Sequence, residues 1–409
     1  VKVMSSKYFA LYVLGGAILG LVLANLVGGQ TWLDSFTSII KVIFLNALKM
    51  IVVPLIFFSL ITGVLNLRNS NQMTQVGSYT IAYYVSTTGI AILIGLTIVL
   101  ALNPWGEITP IEFEAGNDIR FLAENDGTVI AVLTSLLDKM LENPFSALSN
   151  NNILGILTFA ILFGLGLAAT LPKDSTLPII IEQISSGIYK ITGWVIALLP
   201  VGIFAITYQL ASSIDMGTLI SLGELALVVF LATLFHGTFV LPAIAWVFGG
   251  VKPAALFRNI AQPLVTALST SSSAATLPVS MDAAQNRFGV SSEVSSVVLP
   301  LGATVNMDGT ALFEGVAAVF LAQMFGIALD PITITTIFLV AMMASIGAPG
   351  IPSGSMAGMQ LVLLAVGIPL EAIALLLMIE RPLDTFRTAV NVQGDLVGSL
   401  VVNKRVTFK

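Results

Sequence analysis

Predominantly apolar stretches, each long enough to cross a bilayer, recur along this chain and leave little choice of fold. They lie at about 8–29, 37–65, 79–102, 151–171, 187–212 and 217–248. Each meets the roughly twenty residues needed to span about 30 Å of hydrocarbon. Only 10% of residues are charged and 56% are hydrophobic, whereas a soluble domain carries about 25% charged residues. An all-α polytopic membrane protein follows, because a helix satisfies its own backbone in lipid. There is no cysteine, which excludes disulfides and thiolate metal sites. The one histidine, His236, sits in an apolar run. Alone it makes no zinc or haem site, and it reads as a polar packing residue. Residues 1–7 read as a short cytoplasmic tail, and the first run as a retained helix, since it has no small-residue cleavage site.

After Gly250 the pattern changes. Residues 253–288 form two moderately apolar arms joined by a serine cluster, and 331–368 form two more, joined by GAPGIPSGS. Each arm is short for a full crossing, and Ala267–Pro278 and Ser345–Gly358 carry no charge. Exposed loops usually carry charge, so these tips read as buried in protein, as two re-entrant helical hairpins. Between them, 291–327 is a span broken at Asn306–Gly309, with Asp308 inside it. A 370–402 span closes the set, giving eight transmembrane helices plus two hairpins. Corresponding interruptions in two halves point to inverted repeats around a midplane site.

Lys2, Lys7, Arg68, Lys173, Lys252, Arg258, Arg287, Lys404, Arg405 and Lys409 all fall on one side if there are eight crossings and both termini are cytoplasmic. The 104–150 loop then lies outside, with Glu107, Glu112, Glu114, Asp118, Glu124 and Asp126 outnumbering Arg120. The first hairpin enters from the cytoplasm and the second from outside. An inner (plasma) membrane location is expected.

The last span holds the densest polar set: Glu380, Arg381, Asp384, Arg387, Thr388, Asn391 and Asp395. Asp384, Arg387, Asn391 and Asp395 are three or four apart and share one helical face. Such groups in a span must face a polar interior. Arg387 can pair bidentately with a carboxylate, and Asp384, one turn earlier, can accept an ammonium. The serine tip at 271–273 offers hydroxyls and N–H groups to a second carboxylate. An acidic amino acid satisfies all three. Asp395 and Asn391, with carbonyls freed near Asn306, supply hard oxygen ligands; Asp308 and Asn306, with Thr87 and Thr88, supply a second set. Oxygen ligation at unwound backbone suits sodium, with proton relay by the same acids as the competing use.

SSSAATLP at 271–278, NMDGT at 306–310 and the DxxRTxxNxxGD pattern at 384–395 resemble the glutamate transporter family, the dicarboxylate/amino acid:cation symporters. The resemblance covers nearly the whole chain. It implies a homotrimer in membrane lipid with an elevator mechanism, binding small-molecule substrate, with no nucleic-acid partner and no organic cofactor. Residues 1–78 and 151–212 would be scaffold. Residues 79–103 and 213–409 would be the moving transport core, with 104–150 an extracellular loop. By the same resemblance Arg387 takes the substrate side-chain carboxylate and Asp384 its ammonium, with Thr388, Asn391, Ser272, Ser273, Thr310 and Ile351 as further substrate contacts. Asp395, Asn391, Gly302 and Asn306 resemble one sodium site. Asn306, Asp308, Thr87, Thr88 and the backbone at Tyr84 resemble a second, and Thr304, Ser345, Ile346 and Ala348 a third.

Three departures stand out. Relatives carry an arginine at the position of Ser271 or near Thr385; neither is basic here, and Arg381 lies about one turn away. The second tip has Ala348 and Pro349 where relatives often have Thr and Ala. Glu314, one turn past the NMDGT break, resembles the proton-carrying glutamate of animal members. A carboxyl in a membrane core can load and release a proton, which adds proton symport to sodium coupling as an expectation. The alternatives are a C4-dicarboxylate symporter or a neutral amino acid carrier, and more remotely an intramembrane enzyme using Asp308 with Asp395. An aspartyl dyad needs two acids sharing a proton without an arginine beside them, and Arg387 shares the face with Asp395.

Overall fold

The computed structural model describes residues 9–27, 31–66, 73–105, 134, 137–138, 140–150, 152–172, 174–210, 216–347, 354–369 and 372–406. Most of the 104–150 loop and the second hairpin's tip fall outside them. The described residues contain helices and no strands. The helices are α1 (Phe9–Val27), α2 (Thr31–Asn66), α3 (Met73–Leu102), α4 (Pro144–Ser149), α5 (Ile153–Thr170), α6 (Leu177–Ala197), α7 (Leu199–Leu210) and α8 (Met216–Phe235). Then follow α9 (Pro253–Thr270), α10 (Ser273–Asp282), α11 (Ser292–Val305), α12 (Asp308–Met324), α13 (Pro331–Gly347), α14 (Ser355–Val366) and α15 (Ile373–Arg405). Every apolar run read from the sequence carries a helix. Gln75–Leu102, Gly217–Gly249 and the broken Ser292–Met324 are each long and apolar enough to cross a membrane, and α6 and α7 join as a pair bent by 51°.

Two interruptions position the site. The α8 helix runs on through a π turn at His236–Val240, a short α segment at Leu241–Ile244 and a second π turn at Ala245–Gly249. Pro242 lies between the π turns; it has no N–H to give the preceding turn, and π turns absorb such a defect. The second interruption separates α11 from α12. Asn306 (φ −98°, ψ 88°) and Met307 (φ −117°, ψ 55°) leave helical geometry. The Asn306 N–H still closes α11 on the Gly302 carbonyl at 3.0 Å, and the Ala311 N–H opens α12 on the Met307 carbonyl at 2.8 Å.

The first hairpin turns at Ser271, which is left-handed (φ 48°), and Ser272, whose Oγ caps α10 by accepting from the Ala275 N–H at 3.1 Å. The second hairpin's arms are α13 and α14, which pack on each other.

Packing falls into two groups. The α1 helix lies on α7, and α2 on α5, α6 and α7. The α3, α8 and α11–α15 helices surround one another, with α9 and α10 against α15. Nearly every side chain of α12 is buried, including Asp308 and Glu314. An apolar cavity of ≈ 170 Å³ lies between α2 and α5 on one side and α3, α11 and α13 on the other. Around the outside, large apolar side chains such as Ile18, Ile39, Leu93, Leu162, Leu227 and Trp246 are exposed, a surface suited to lipid rather than water.

Candidate functional site

The site forms where the α11–α12 break meets the middle of α15. Arg387 is 1% exposed, and its guanidinium lies 4.0 Å over the Phe313 ring. Its Nη2 donates to Glu380 Oε1 at 3.0 Å, Ser355 Oγ at 3.1 Å and Asp384 Oδ1 at 3.4 Å. Ser355 Oγ also donates to Glu380 Oε1 at 3.2 Å, so the second arm of the second hairpin is tied to this pair. Arg387 Nε and Nη1 are buried and have no hydrogen-bond partner among the described residues. Five donors in a fixed fork are rarely left so incomplete, because an unpaired buried donor costs about 1–3 kcal/mol.

Asp384 Oδ2 accepts from Arg381 Nη1 at 3.2 Å. The first hairpin tip reaches the same turn of α15: the Ser271 and Thr385 hydroxyls are 3.2 Å apart. The two positions singled out in the sequence for lacking an arginine are thus neighbours in space. Ser272 and Ser273 are buried beside them, and so is Thr388. Asn391 stitches α15 to the break: its Oδ1 accepts from the Gly309 N–H at 2.8 Å, and its Nδ2 donates to Thr310 Oγ1 at 3.1 Å.

One and two turns further along, oxygens gather. Asp395 Oδ1 accepts from Asn306 Nδ2 at 2.9 Å. Asp308 Oδ1 accepts from Thr88 Oγ1 at 2.8 Å, and Thr87 Oγ1 lies 3.4 Å from Asn306 Oδ1. Tyr84 donates to the Val298 carbonyl at 2.7 Å. A Cβ on Gly302 would stand 2.3 Å from Asp395 Oδ1 and 2.5 Å from Tyr84 Oη, so only glycine lets α11 approach this cluster. Apart from the Asn306 amide nitrogen, which donates to Asp395, the groups gathered here are oxygens, which suit a hard monovalent cation.

The proposed third set is less tightly drawn. Thr304 Oγ1 donates to the Leu301 carbonyl at 3.0 Å and Ser345 Oγ to the Met342 carbonyl at 2.9 Å, each back onto its own helix. Ala348, Ile351 and the Ile346 side chain lie outside the described residues. Glu314 is fully buried, and neither of its oxygens has a partner among the described residues. It faces the second hairpin: a Cβ on Gly358 would come 2.2 Å from its Oε1.

The sodium:dicarboxylate symporter family matches residues 9–405. The chain belongs to that family. It is 31% identical to excitatory amino acid transporter 3 of Mus musculus over 457 aligned positions, covering 98% of this chain and 86% of that one. It is also 31% identical to the proton/sodium-glutamate symport protein of Bacillus caldotenax over 391 positions, covering 95% and 92%. Against neutral amino acid transporter B(0) of Mus musculus, identity is 34% over 397 positions, covering 87% and 72%. The symporter is an integral membrane protein, and the enzyme alternative gives way, since the family and these relatives are transporters.

Four residues of this symporter's site were not assigned a role from sequence. Glu380 and Ser355 hold Arg387. Phe313 supplies the face beneath it. His236, read as a polar packing residue, has a specific polar partner that the sequence did not point to. It is fully buried, and its Nε2 lies 3.1 Å from Asp308 Oδ2. The signal available was the Glu380–Asp384–Arg387 spacing of four and three, which places Glu380 on the face already read as functional.

Proposed function

We propose that the protein is a sodium-coupled symporter that takes up glutamate or aspartate by alternating access. The observation that carries this reading is Arg387: a buried guanidinium, fixed by Glu380, Asp384 and Ser355, with donors on Nε and Nη1 left for an anionic group. A planar carboxylate matches that fork. Thr388, Asn391 and Thr310 on one side and Ser272 and Ser273 on the other would line the remainder of the substrate, with Asp384 taking the ammonium. Sodium is cargo here. Asp395, Asn391, Gly302 and Asn306 would hold one ion; Asp308, Asn306, Thr87, Thr88 and Tyr84 a second; Thr304, Ser345, Ile346 and Ala348 a third. Glu314 would add a proton.

In this reading the chain crosses the plasma membrane eight times with both termini cytoplasmic, and it assembles as a homotrimer. Residues 1–78 and 151–212 are scaffold, and 79–103 and 213–409 move as an elevator. The denser packing within α1, α2 and α5–α7 and within α3 and α8–α15 than between these groups supports that division. So does the apolar cavity between the two groups, because apolar surfaces without interlocking polar contacts can slide.

The experiment is uptake of radiolabelled aspartate and glutamate into proteoliposomes, with sodium replaced by choline. Uptake that needs the inward sodium gradient is expected, and sodium-independent uptake contradicts the proposal. One observation favours a second reading: Arg381 occupies Asp384 Oδ2, the group an amino acid's ammonium needs. A C4-dicarboxylate makes no such demand. Succinate uptake exceeding that of both amino acids in the same vesicles would select this alternative.

A further inference from the structure

The buried histidine on α8 lies against the oxygen cluster and is built in from two directions. His236 begins the π turn His236–Val240. The next carbonyl, that of Gly237, accepts from Gln393 Nε2 at 2.6 Å. Gln393 is two residues before Asp395 on α15. The π turn thus lends a carbonyl to the helix that carries the site, and this fixes how the ring enters it. On the far side, Gly394 permits close packing: a Cβ there would stand 2.7 Å from Asn306 Nδ2 and 3.2 Å from Asp308 Oδ2.

A ring nitrogen and a carboxylate oxygen at 3.1 Å both present lone pairs unless a proton lies between them. The stable arrangement is an Nε2–H donating to Asp308 Oδ2. Asp308 Oδ1 meanwhile accepts from the Thr88 hydroxyl. The two donors differ in one respect. A hydroxyl rotates and can turn its lone pairs to a cation sharing Oδ1. An Nε2–H on a ring locked by packing stays a donor and never competes for the ion.

We propose that His236 is a positioning residue for sodium: it fixes the Asp308 carboxylate through Oδ2 and presents Oδ1, beside Thr88, to the ion. This rests on the reading of Asp308 as a sodium ligand. A carboxylate held at one oxygen loses less freedom when an ion takes the other, so the donor raises sodium affinity without touching the amino acid.

The test is the sodium dependence of aspartate uptake in proteoliposomes, together with sodium-dependent aspartate binding to detergent-purified protein by calorimetry. His236→Phe keeps the ring volume and removes the donor. It is expected to raise the half-saturating sodium concentration roughly tenfold, the scale of one hydrogen bond to a charged group. Maximal uptake at saturating sodium should stay close to the parent's. His236→Gln, whose Nε2 reaches a similar point, should restore the parent sodium dependence. A merely structural histidine would instead lower folded yield or maximal rate and leave half-saturation alone.

If His236→Phe does not fold, His236→Gln decides: a parent-like value supports the proposal and a raised one overturns it. A His236→Phe protein with unchanged half-saturation overturns it too, provided Asp308→Asn shifts that value. If Asp308→Asn also leaves it unchanged, the assignment of Asp308 to sodium is what has failed.

Discussion

Arg381 Nη1 rests 3.2 Å from Asp384 Oδ2, one turn along α15. The other oxygen of Asp384 faces Arg387 Nη2 at 3.4 Å. The carboxylate read as the ammonium acceptor therefore already holds two guanidiniums. Removing Arg381 leaves Asp384 with a negative oxygen open to the site. That oxygen attracts an ammonium and repels a dicarboxylate without one. Arg381→Ala is expected to raise the preference for aspartate over succinate by about tenfold, the worth of one charge-assisted hydrogen bond. Competition of radiolabelled aspartate uptake by succinate reads this ratio, and an unchanged ratio separates Arg381 from selectivity.

Arg387 carries a larger effect. Truncating one partner of a buried, hydrogen-bonded charge pair costs about 2–5 kcal/mol. Arg387→Gln should therefore lower apparent affinity for acidic substrates by at least about 30-fold, while serine or alanine is less affected. The substitution also strips Glu380 and Asp384 of their common cation, which destabilises the fold. Thermal unfolding of purified protein distinguishes the two losses: aspartate affinity should remain low at temperatures where the variant is folded. Parent-like aspartate uptake by Arg387→Gln would remove the basis of the functional proposal.

Glu314 and Gly358 make a second testable contact. If Glu314 carries a proton inward with substrate, uptake by the parent falls as external pH rises and loading becomes harder. Glu314→Gln mimics the protonated form and cannot release it, so its pH profile should flatten. Gly358→Ala puts a methyl where the Glu314 Oε1 now lies, 2.2 Å from the new Cβ. The hairpin arm or the carboxyl must shift, and slower uptake is expected with the pH dependence altered. A Glu314→Gln profile that tracks the parent's would show the proton entering elsewhere or not at all.

The helical skeleton could be read from sequence because lipid imposes a length and an apolarity on every span. The break between α11 and α12 could be read for the same reason: Asn306, Asp308 and Gly309 have no place in an unbroken apolar helix. Spacing along α15 placed Asp384, Arg387, Asn391 and Asp395 on one face, and all four are buried there. Contacts between distant segments were not legible. Nothing in the spacing says that Ser355 reaches Glu380, 25 residues on, or that His236 reaches Asp308, 72 residues on. The π turn that delivers His236 is a local defect around Pro242. Hydrophobic periodicity does not register such defects, because the residues on either side remain apolar.

Gly302 offers the sharpest test of the oxygen cluster as a cation site. Its Cα faces Asp395 and Tyr84 so closely that a methyl would stand 2.3 Å from Asp395 Oδ1 and 2.5 Å from Tyr84 Oη. Neither neighbour yields easily: Asp395 also accepts from Asn306, and Tyr84 is held by the Val298 carbonyl. In Gly302→Ala the carboxylate must turn away or α11 must back off, and either widens the cluster. The half-saturating sodium concentration should rise about tenfold, on the scale of about 1.4 kcal/mol. Substrate affinity at saturating sodium should be nearly unchanged, since Arg387 and Asp384 lie about two and three turns from Asp395 on α15. Calorimetric titration of aspartate at several fixed sodium concentrations separates the two. A variant that loses aspartate binding equally at every sodium concentration would place Asp395 with the substrate rather than with the ion.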